Sequence, residues 1–530
     1  MSEQSVTNPP KLIHWAEMTA DRIIRQVGDK ESYVCASGIT PSGVVHFGNF
    51  RESITVDFIV RALRERGKKV RFLFSWDDYD TFRKVPVNMP NQEELKKYLF
   101  QPIVDTPDPY GEHASYAAHH EAKFMAQLKK VGVNPAPLYQ AEKYRQGTYK
   151  EQIRLALKNK DKIASILNNH RSEPLPSDWL PISIYCQNCN RDDQVENITF
   201  DGSDILSYQC HHCQHQGQEN LQTTKRVKLP WRVDWPMRWA FEKVDFEPGG
   251  KDHSSEGGSY TTAKEIVEIF SWKSPVYLQY DFVSIKGSGG KMSSSKGDLV
   301  TVNDVLAIYE PEMLRWIFAS YKPNVDFSIS FDLDVIKTYE DFDRMERLAY
   351  GLESGNEKNI NMAKRVYELS QLDGKVPNHC PVQPSFRHLC NILQIHDGKI
   401  EKAQHEYASQ IKDERDERRF RERSTRALFW LENYAPEDFK FKINIKAPTL
   451  NPSEIESKFL GELKVSLQDN QLWTDEQRLA EKLYALIHQF ELQPGQVFTL
   501  MYQILIGKTK GPKLANFLMQ IGQERVLQLL

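Results

Sequence analysis

The 530-residue chain has no run of about 18 consecutive apolar residues, the length a helix needs to cross a bilayer, so no membrane span is expected. Its opening stretch, MSEQSVTNPPKLIHWAEMTADRI, has no basic segment followed by an apolar core, which argues against a secretory leader. Cysteine is scarce: of seven, Cys186 and Cys189 form one C-x-x-C pair, Cys210 and Cys213 another, and Cys35, Cys380 and Cys390 are scattered. That pattern excludes a disulfide framework and suits a metal site in the cytoplasm. Charge of either sign is nearly balanced, with a net of -3. This rules out a protein that holds nucleic acid by bulk positive charge, but not one with local basic patches. Glycine and proline, 27 each, are too few for a collagen-like or low-complexity chain. No internal repeat is evident. Neither G-x-x-x-x-G-K-[ST] nor G-x-G-x-x-G occurs, so a nucleotide site must be built another way.

What is present divides the chain. The length exceeds what one core supports, so several domains are expected. Tyr33 to Ser37 reads as a short apolar strand, followed by the turn Gly38-Ile39-Thr40-Pro41-Ser42-Gly43. Phe50, Ile54, Phe58 and Ala62 recur every four residues, the period of a helix, and Val70 to Trp76 reads as a second buried strand. Strand, crossover helix and strand make a parallel unit whose ligands gather at the strand carboxyl ends. The helix opens with His46-Phe47-Gly48-Asn49; His46 and Asn49 share one face of its first turn, where free N–H groups and the positive dipole end would face an anion. Tyr277 to Ile285 reads as one strand, and after it comes Lys286-Gly287-Ser288-Gly289-Gly290-Lys291-Met292-Ser293-Ser294-Ser295-Lys296-Gly297. Its hydroxyls and lysines suit closing over a triphosphate, although alone the segment also reads as a Ser/Gly linker.

Taken together, the two segments are sharper. The helix start resembles the HIGH signature of class I aminoacyl-tRNA synthetases, and Lys291-Met292-Ser293-Ser294-Ser295 resembles their KMSKS signature, in the right order. Where the family has its second lysine this chain has Ser294, with Lys296 following. Ser75 to Asp80 with Phe82 to Pro86, Trp231 to Trp239, Gly250 to His253 and Gly507 to Pro512 resemble the class I lysyl-tRNA synthetases, so the likeness runs over nearly the whole chain. The resemblance implies ATP-dependent formation of lysyl-adenylate with Mg²⁺ on the phosphates, then transfer to tRNA(Lys). It implies that Pro41, Ser42, Gly43, His46, Gly48, Asn49, Lys291 and Lys296 hold ATP, and that Ser293 and Ser295 shape the loop. His46, Asn49, Lys291, Ser293 and Ser295 form the catalytic set. It places Gly38, Thr40, Trp231 or Trp235, His253 and Tyr280 in the lysine pocket. Asp77, Asp78 and Asp80 either serve that pocket or cap the next element. A glutamate-type class I enzyme, or a paralogue without charging activity, remains the alternative.

Two C-x-x-C pairs about twenty residues apart are the spacing of a four-cysteine structural Zn²⁺ ribbon, with His211, His212 and His215 as possible replacements for a cysteine. Lys225, Arg226 and Lys228 either meet RNA phosphates or form a solvated basic edge. Beyond about residue 345 helical periods dominate: Phe386 to Tyr407, Ser424 to Asn433, Asp475 to Gln489 and Val497 to Ile506, as Val302 to Tyr321 does earlier. The arginine-rich run from Lys412 to Arg426 reads as a solvated helix. Lys508, Lys510 and Lys513 make a turn-borne basic cluster suited to RNA. The expected organisation is an α/β Rossmann-type catalytic domain with a parallel sheet, a zinc-ribbon insertion and an all-α C-terminal domain. Its parts are a first Rossmann half (1–175), the ribbon and acceptor-stem insertion (176–228), a second half with the loop (229–345) and an anticodon-binding domain (346–530). A monomeric cytoplasmic enzyme is expected.

Overall fold

The computed structural model of the protein describes residues 14–286 and 299–530. Lys291, Ser293, Ser295 and Lys296 lie outside the described residues. The chain divides into two compact units, one of residues up to 329 plus 348–376, the other of 330–347 plus 377–530.

The first unit is built on five strands. Ser32–Ile39, Lys69–Trp76, Ala136–Tyr139, Phe246–Gly250 and Val276–Tyr280 are all parallel, and in space they run third, second, first, fourth, fifth. This is a doubly wound Rossmann-type order. The winding reverses between the first strand and the fourth, and at such a point the loops leaving the carboxyl ends splay apart and open a crevice. The crossover helix Phe47–Glu65 is buried along most of its length, as a helix covering a sheet should be. Tyr33, Cys35 and Phe246 fill the sheet interior with no exposure, so Cys35 acts as a small apolar core residue. Among the described residues, no helix is long and apolar enough to cross a membrane.

An insertion leaves this sheet and returns to it. Its first strand, Ser183–Ile184, pairs antiparallel with its last, Val227–Lys228, closing the base. Beyond the base, Val195–Phe200, Ile205–Cys210 and His215–Asn220 form an antiparallel three-stranded sheet.

The second unit contains helices and, among its described residues, no strand. Phe459, Leu463, Leu483, Met501 and Phe517 are central to one of its cores.

Three local readings are corrected by the structure. Tyr277 to Ile285 is not one strand: Val276–Tyr280 ends in the main sheet, and Val283–Ile285 pairs instead with Phe327–Ile329. At the break, Arg51 donates to the Phe282 carbonyl (3.0 Å) and the Asp281 N–H donates to Pro323 (2.9 Å), so the bent backbone remains satisfied. Val302 to Tyr321 is two helices, Val302–Leu306 and Pro311–Ser320, because Pro311 opens a helix and bars its predecessor from continuing one. The Lys412–Arg426 run is not simply a solvated face. Arg423 is wholly buried and forks onto Asp343 (2.8 and 2.9 Å), and Arg419 binds Glu346 (2.7 Å), so the alternation of charges conceals internal ion pairs.

Candidate active site and metal centres

The crevice at the winding reversal holds a cavity of about 450 Å³. Gly38, Thr40, Ser42 and Gly43 line it from the first strand and its turn. Asn49 lines it from the crossover helix, and Trp231, His253 and Tyr280 from the second half of the sheet. Gly38 cannot be larger: a Cβ there would sit 2.8 Å from the Ser75 carbonyl oxygen on the neighbouring strand. Pro41 is buried in the same turn, and Gly48 lies one residue from Asn49.

His46 is the N-cap of the crossover helix. Its Nδ1 accepts from the Gly48 N–H (3.1 Å), and Asn49 Oδ1 accepts in return from the His46 N–H (3.3 Å). Such reciprocal caps stabilise a helix by about 1 kcal/mol. Acceptance at Nδ1 leaves the neutral ring's proton on Nε2, where it is a donor. The expected free N–H groups are absent, because the first three are already used. Phe47 N–H donates to the Val300 carbonyl (2.7 Å), Gly48 N–H to the His46 ring, and Asn49 N–H to the His46 carbonyl (2.9 Å). Any anion there is held by side chains and by the dipole.

One charged residue of the cavity escaped the sequence reading. Glu52 lies three positions beyond Asn49 and therefore on the same helix face. It accepts from the Gly38 N–H (2.9 Å) and the Tyr280 hydroxyl (2.6 Å). Burial is the main reason its carboxyl pKa is pushed up to about 8, against the pull of those two donors. An acid on the buried face of a sheet-covering helix was the available signal.

The aspartates after the second strand divide their work. Asp77 and Asp80 line the cavity, while Asp78 accepts from the Ala141 N–H (2.8 Å) and caps. Asp77 pairs with Arg238 (2.6 Å). Asp80 pairs with Lys228 and accepts from the Thr40 hydroxyl (3.1 Å). Lys228 is thus neither a phosphate contact nor a solvated edge but a buried counter-ion. Arg238 also binds Asp234 (3.0 Å), which accepts from the Tyr144 hydroxyl. Among the described residues, Glu52 alone of the three cavity acids has no cationic partner.

The tryptophans are also sorted. Trp231 stacks on Trp235 (5.1 Å, 13°) and is the one that lines the cavity. Trp235 and Trp239 are buried behind it and both donate their ring N–H to Glu247. His253 lies 6.3 Å from the Trp231 ring and 6.0 Å from that of Trp235.

In the insertion, the four predicted cysteines converge. Cys186 and Cys213 Sγ atoms lie 3.6 Å apart, Cys189 and Cys210 Sγ atoms 3.7 Å, and all four sulfurs fall within 4.8 Å of one another. Sulfurs at the corners of a zinc tetrahedron, about 2.3 Å from the ion, stand about 3.8 Å apart, so the cluster fits a closed metal shell and not disulfides. The neighbouring histidines do not join it: His211 faces Glu196 (3.4 Å) and His215 faces Gln187 (3.4 Å). A second donor set, unseen in the sequence, gathers Asp108, His113 and His119. Asp108 accepts from three backbone N–H groups, of Tyr110, Glu112 and His113, and its Oδ1 lies 3.3 Å from His119 Nδ1.

Residues 13–373 match a family model described as tRNA synthetases class I (K), and residues 425–530 match an anticodon binding domain. The chain belongs to the class I tRNA synthetase (K) family. A lysine–tRNA ligase of Borrelia garinii subsp. bavariensis is 47% identical over 97% of this chain and 98% of its own. One from the archaeon Thermococcus kodakarensis is 41% identical over 98% and 99%. A solved glutamate tRNA ligase from Elizabethkingia meningosepticum aligns with 94% of this chain and 98% of its own at 15% identity and a TM-score of 0.45. Membership in the synthetase family accounts for a Rossmann-type sheet and a helical anticodon-binding domain in one chain.

Proposed function

We propose that this chain is a lysine–tRNA ligase, acting as a cytoplasmic monomer that joins L-lysine to tRNA(Lys) at the expense of ATP. The observation that carries the choice of amino acid is Glu52. A small acidic cavity whose other carboxylates are neutralised from behind leaves one acid to receive an ammonium group. A glutamate side chain would set a second carboxylate against it, and a charge left unpaired in such a site costs several kcal/mol. Trp231 and His253 give the aliphatic stem a flat wall. Close relatives named as lysine–tRNA ligases support the same reading.

In the first step the lysine carboxylate attacks the α-phosphorus of ATP, giving lysyl-adenylate and pyrophosphate. In the second, a hydroxyl of the terminal ribose of the tRNA attacks the activated carbonyl and AMP departs. No residue becomes covalently attached, so the protein contributes position and charge. His46 donates from Nε2 to a phosphate oxygen, and its cap on the helix fixes that direction. Asn49 orients the ribose, and Ser42 and Gly43 let the triphosphate approach the turn. Lys291, assisted by Ser293, Ser295 and Lys296, neutralises the departing pyrophosphate, and Mg²⁺ supplies further positive charge to the phosphates. Cys186, Cys189, Cys210 and Cys213 hold a structural Zn²⁺ in the 176–228 insertion, which steadies the acceptor stem. Asp108, His113 and His119 provide for a second divalent ion.

Purified protein incubated with ATP, total tRNA and either labelled lysine or labelled glutamate tests the reading. ATP-dependent attachment of lysine alone is expected. Attachment of glutamate would overturn the role given to Glu52, and attachment of neither would indicate a paralogue without charging activity. Metal analysis should find one zinc that Cys210→Ser removes.

A further inference from the structure

The antiparallel pair that closes the base of the insertion ends on Lys228, whose side chain leaves the insertion. That side chain is only 10% exposed and reaches the loop after the strand Lys69–Trp76. There its Nζ donates to the Tyr79 carbonyl (3.2 Å) and to Asp80 Oδ1. The other carboxylate oxygen, Asp80 Oδ2, accepts from the Thr40 hydroxyl (3.1 Å), and Thr40 lines the crevice. One carboxylate thus joins a cation of the insertion to a hydroxyl of the site.

The same loop is tied to the insertion at three further points. The Tyr185 hydroxyl donates to the Tyr79 carbonyl (2.9 Å), the Tyr79 hydroxyl to the Lys225 carbonyl, and the Thr81 hydroxyl to Asp192 (2.5 Å). Asp192 follows directly on the first cysteine knuckle, which closes with a bond from the Cys186 N–H to the Arg191 carbonyl (2.9 Å). Burial would raise the Asp80 carboxyl, but the Lys228 ammonium and the Thr40 hydroxyl hold it below its ordinary range.

The charge on Asp80 decides what Thr40 can do. A carboxylate has no proton to give, so Thr40 spends its hydroxyl proton on Asp80 and has only lone pairs left for the crevice. A hydroxyl in that state receives N–H groups and rejects acceptor oxygens. We propose that Lys228 and Asp80 are positioning residues for the amino acid, fixing Thr40 as an acceptor for an ammonium group of the bound substrate. The insertion then sets the hydrogen-bonding polarity of the amino-acid pocket as well as steadying RNA. The proposal rests on the synthetase reading above and adds to it two residues that need not touch the substrate.

ATP–pyrophosphate exchange by the full-length protein, with tRNA present and separate KM values for lysine and ATP, tests it. Asp80→Asn is the sharpest variant because it keeps the shape. An ammonium cannot face an amide NH2, so the new side chain turns its oxygen to Lys228 and its NH2 to Thr40. Thr40 must then accept there and direct its own proton into the crevice. The KM for lysine should rise about tenfold, the size of one lost hydrogen bond to a charged group, while the KM for ATP hardly changes. Lys228→Met should act in the same direction; should it not fold, Asp80→Asn carries the test alone. Thr40→Val, which lacks the hydroxyl, should cost about as much, and in its background neither of the other changes should raise the KM for lysine further. Additive effects, an equal rise in both KM values, or a lower melting temperature with both KM values unchanged would mean that the pair only staples the insertion, and each overturns the proposal. If the wild-type protein activates glutamate instead, the choice of lysine fails. The same pattern in the KM for glutamate would still support the proposal, since both amino acids carry an α-ammonium.

Discussion

Two cavities of this molecule are opposite in sign and in construction. The one at the carboxyl ends of the strands is acidic, and its carboxylates are fixed by a backbone N–H, a tyrosine hydroxyl and buried cations. The one in the helical unit lies between the helix Phe386–Ile395 and the turn after Pro494–Ile506, and is lined by Arg387, Lys508, Lys510 and Lys513, several of them exposed. The difference follows from the ligands each would take. A single ammonium group is small and must be distinguished from other amino acids, so its partner is desolvated and rigid. An RNA loop is large and carries a charge at every residue, so exposed cations suffice for attraction and only a few groups need to read it.

The most severe way to break this contrast is Glu52→Gln. It keeps the shape and both donors nearby but removes the charge. Lysine activation, measured by pyrophosphate exchange in the presence of tRNA, should lose about a hundredfold in kcat/KM, since leaving an ammonium unpaired costs about 3 kcal/mol. The KM for ATP should hardly change; an equal rise in both would move Glu52 out of the lysine site. His46→Ala comes next, with activation about a hundredfold slower from loss of one phosphate donor. His46→Asn can still cap the helix, so it should regain stability in a thermal melt without regaining the rate.

The pH dependence sharpens the comparison from one side only. Below about pH 8 Glu52 is mostly protonated in the ligand-free protein. Lysine binding then requires loss of that proton, so affinity should rise about tenfold between pH 6 and 7 and level off above 8. Stability has the reverse sign. Because the folded pKa lies above the unfolded value of 4.5, the folded state holds its proton more tightly, and stability falls as pH rises from about 4.5 to about 8 and levels off above it. Glu52→Gln should therefore gain in melting temperature over wild type as pH rises from 5 to 8, with little further gain at pH 9. The smallest effect is expected at the other cavity: Lys510→Ala should lower the slope of log affinity for stem–loop RNA against log salt by about one, and do nothing to lysine activation.

Periodicity made the parallel unit legible, because a helix of period near four between two apolar strands has few other uses. The cysteine pairs were equally plain, since chemistry fixes both residue type and spacing. Pairings made across the fold were not visible. Asp343 and Arg423 are eighty residues apart, and a run of alternating charges looks the same whether its arginines point to solvent or to a buried acid. Asp108, His113 and His119 carry no metal signature until a loop folds back on a helix. The strand break after Tyr280 is set by Arg51, which sits on another element and takes up the Phe282 carbonyl. Glu52 was the nearest miss, because a lone acid on a face otherwise committed to the sheet is already anomalous in the sequence.

The bond from Phe47 N–H to the Val300 carbonyl joins two distant parts of the chain. Val300 lies four residues beyond Lys296, and Phe47 directly follows His46. The start of the crossover helix and the chain at Val300, about 250 residues later, are in effect stitched at one point.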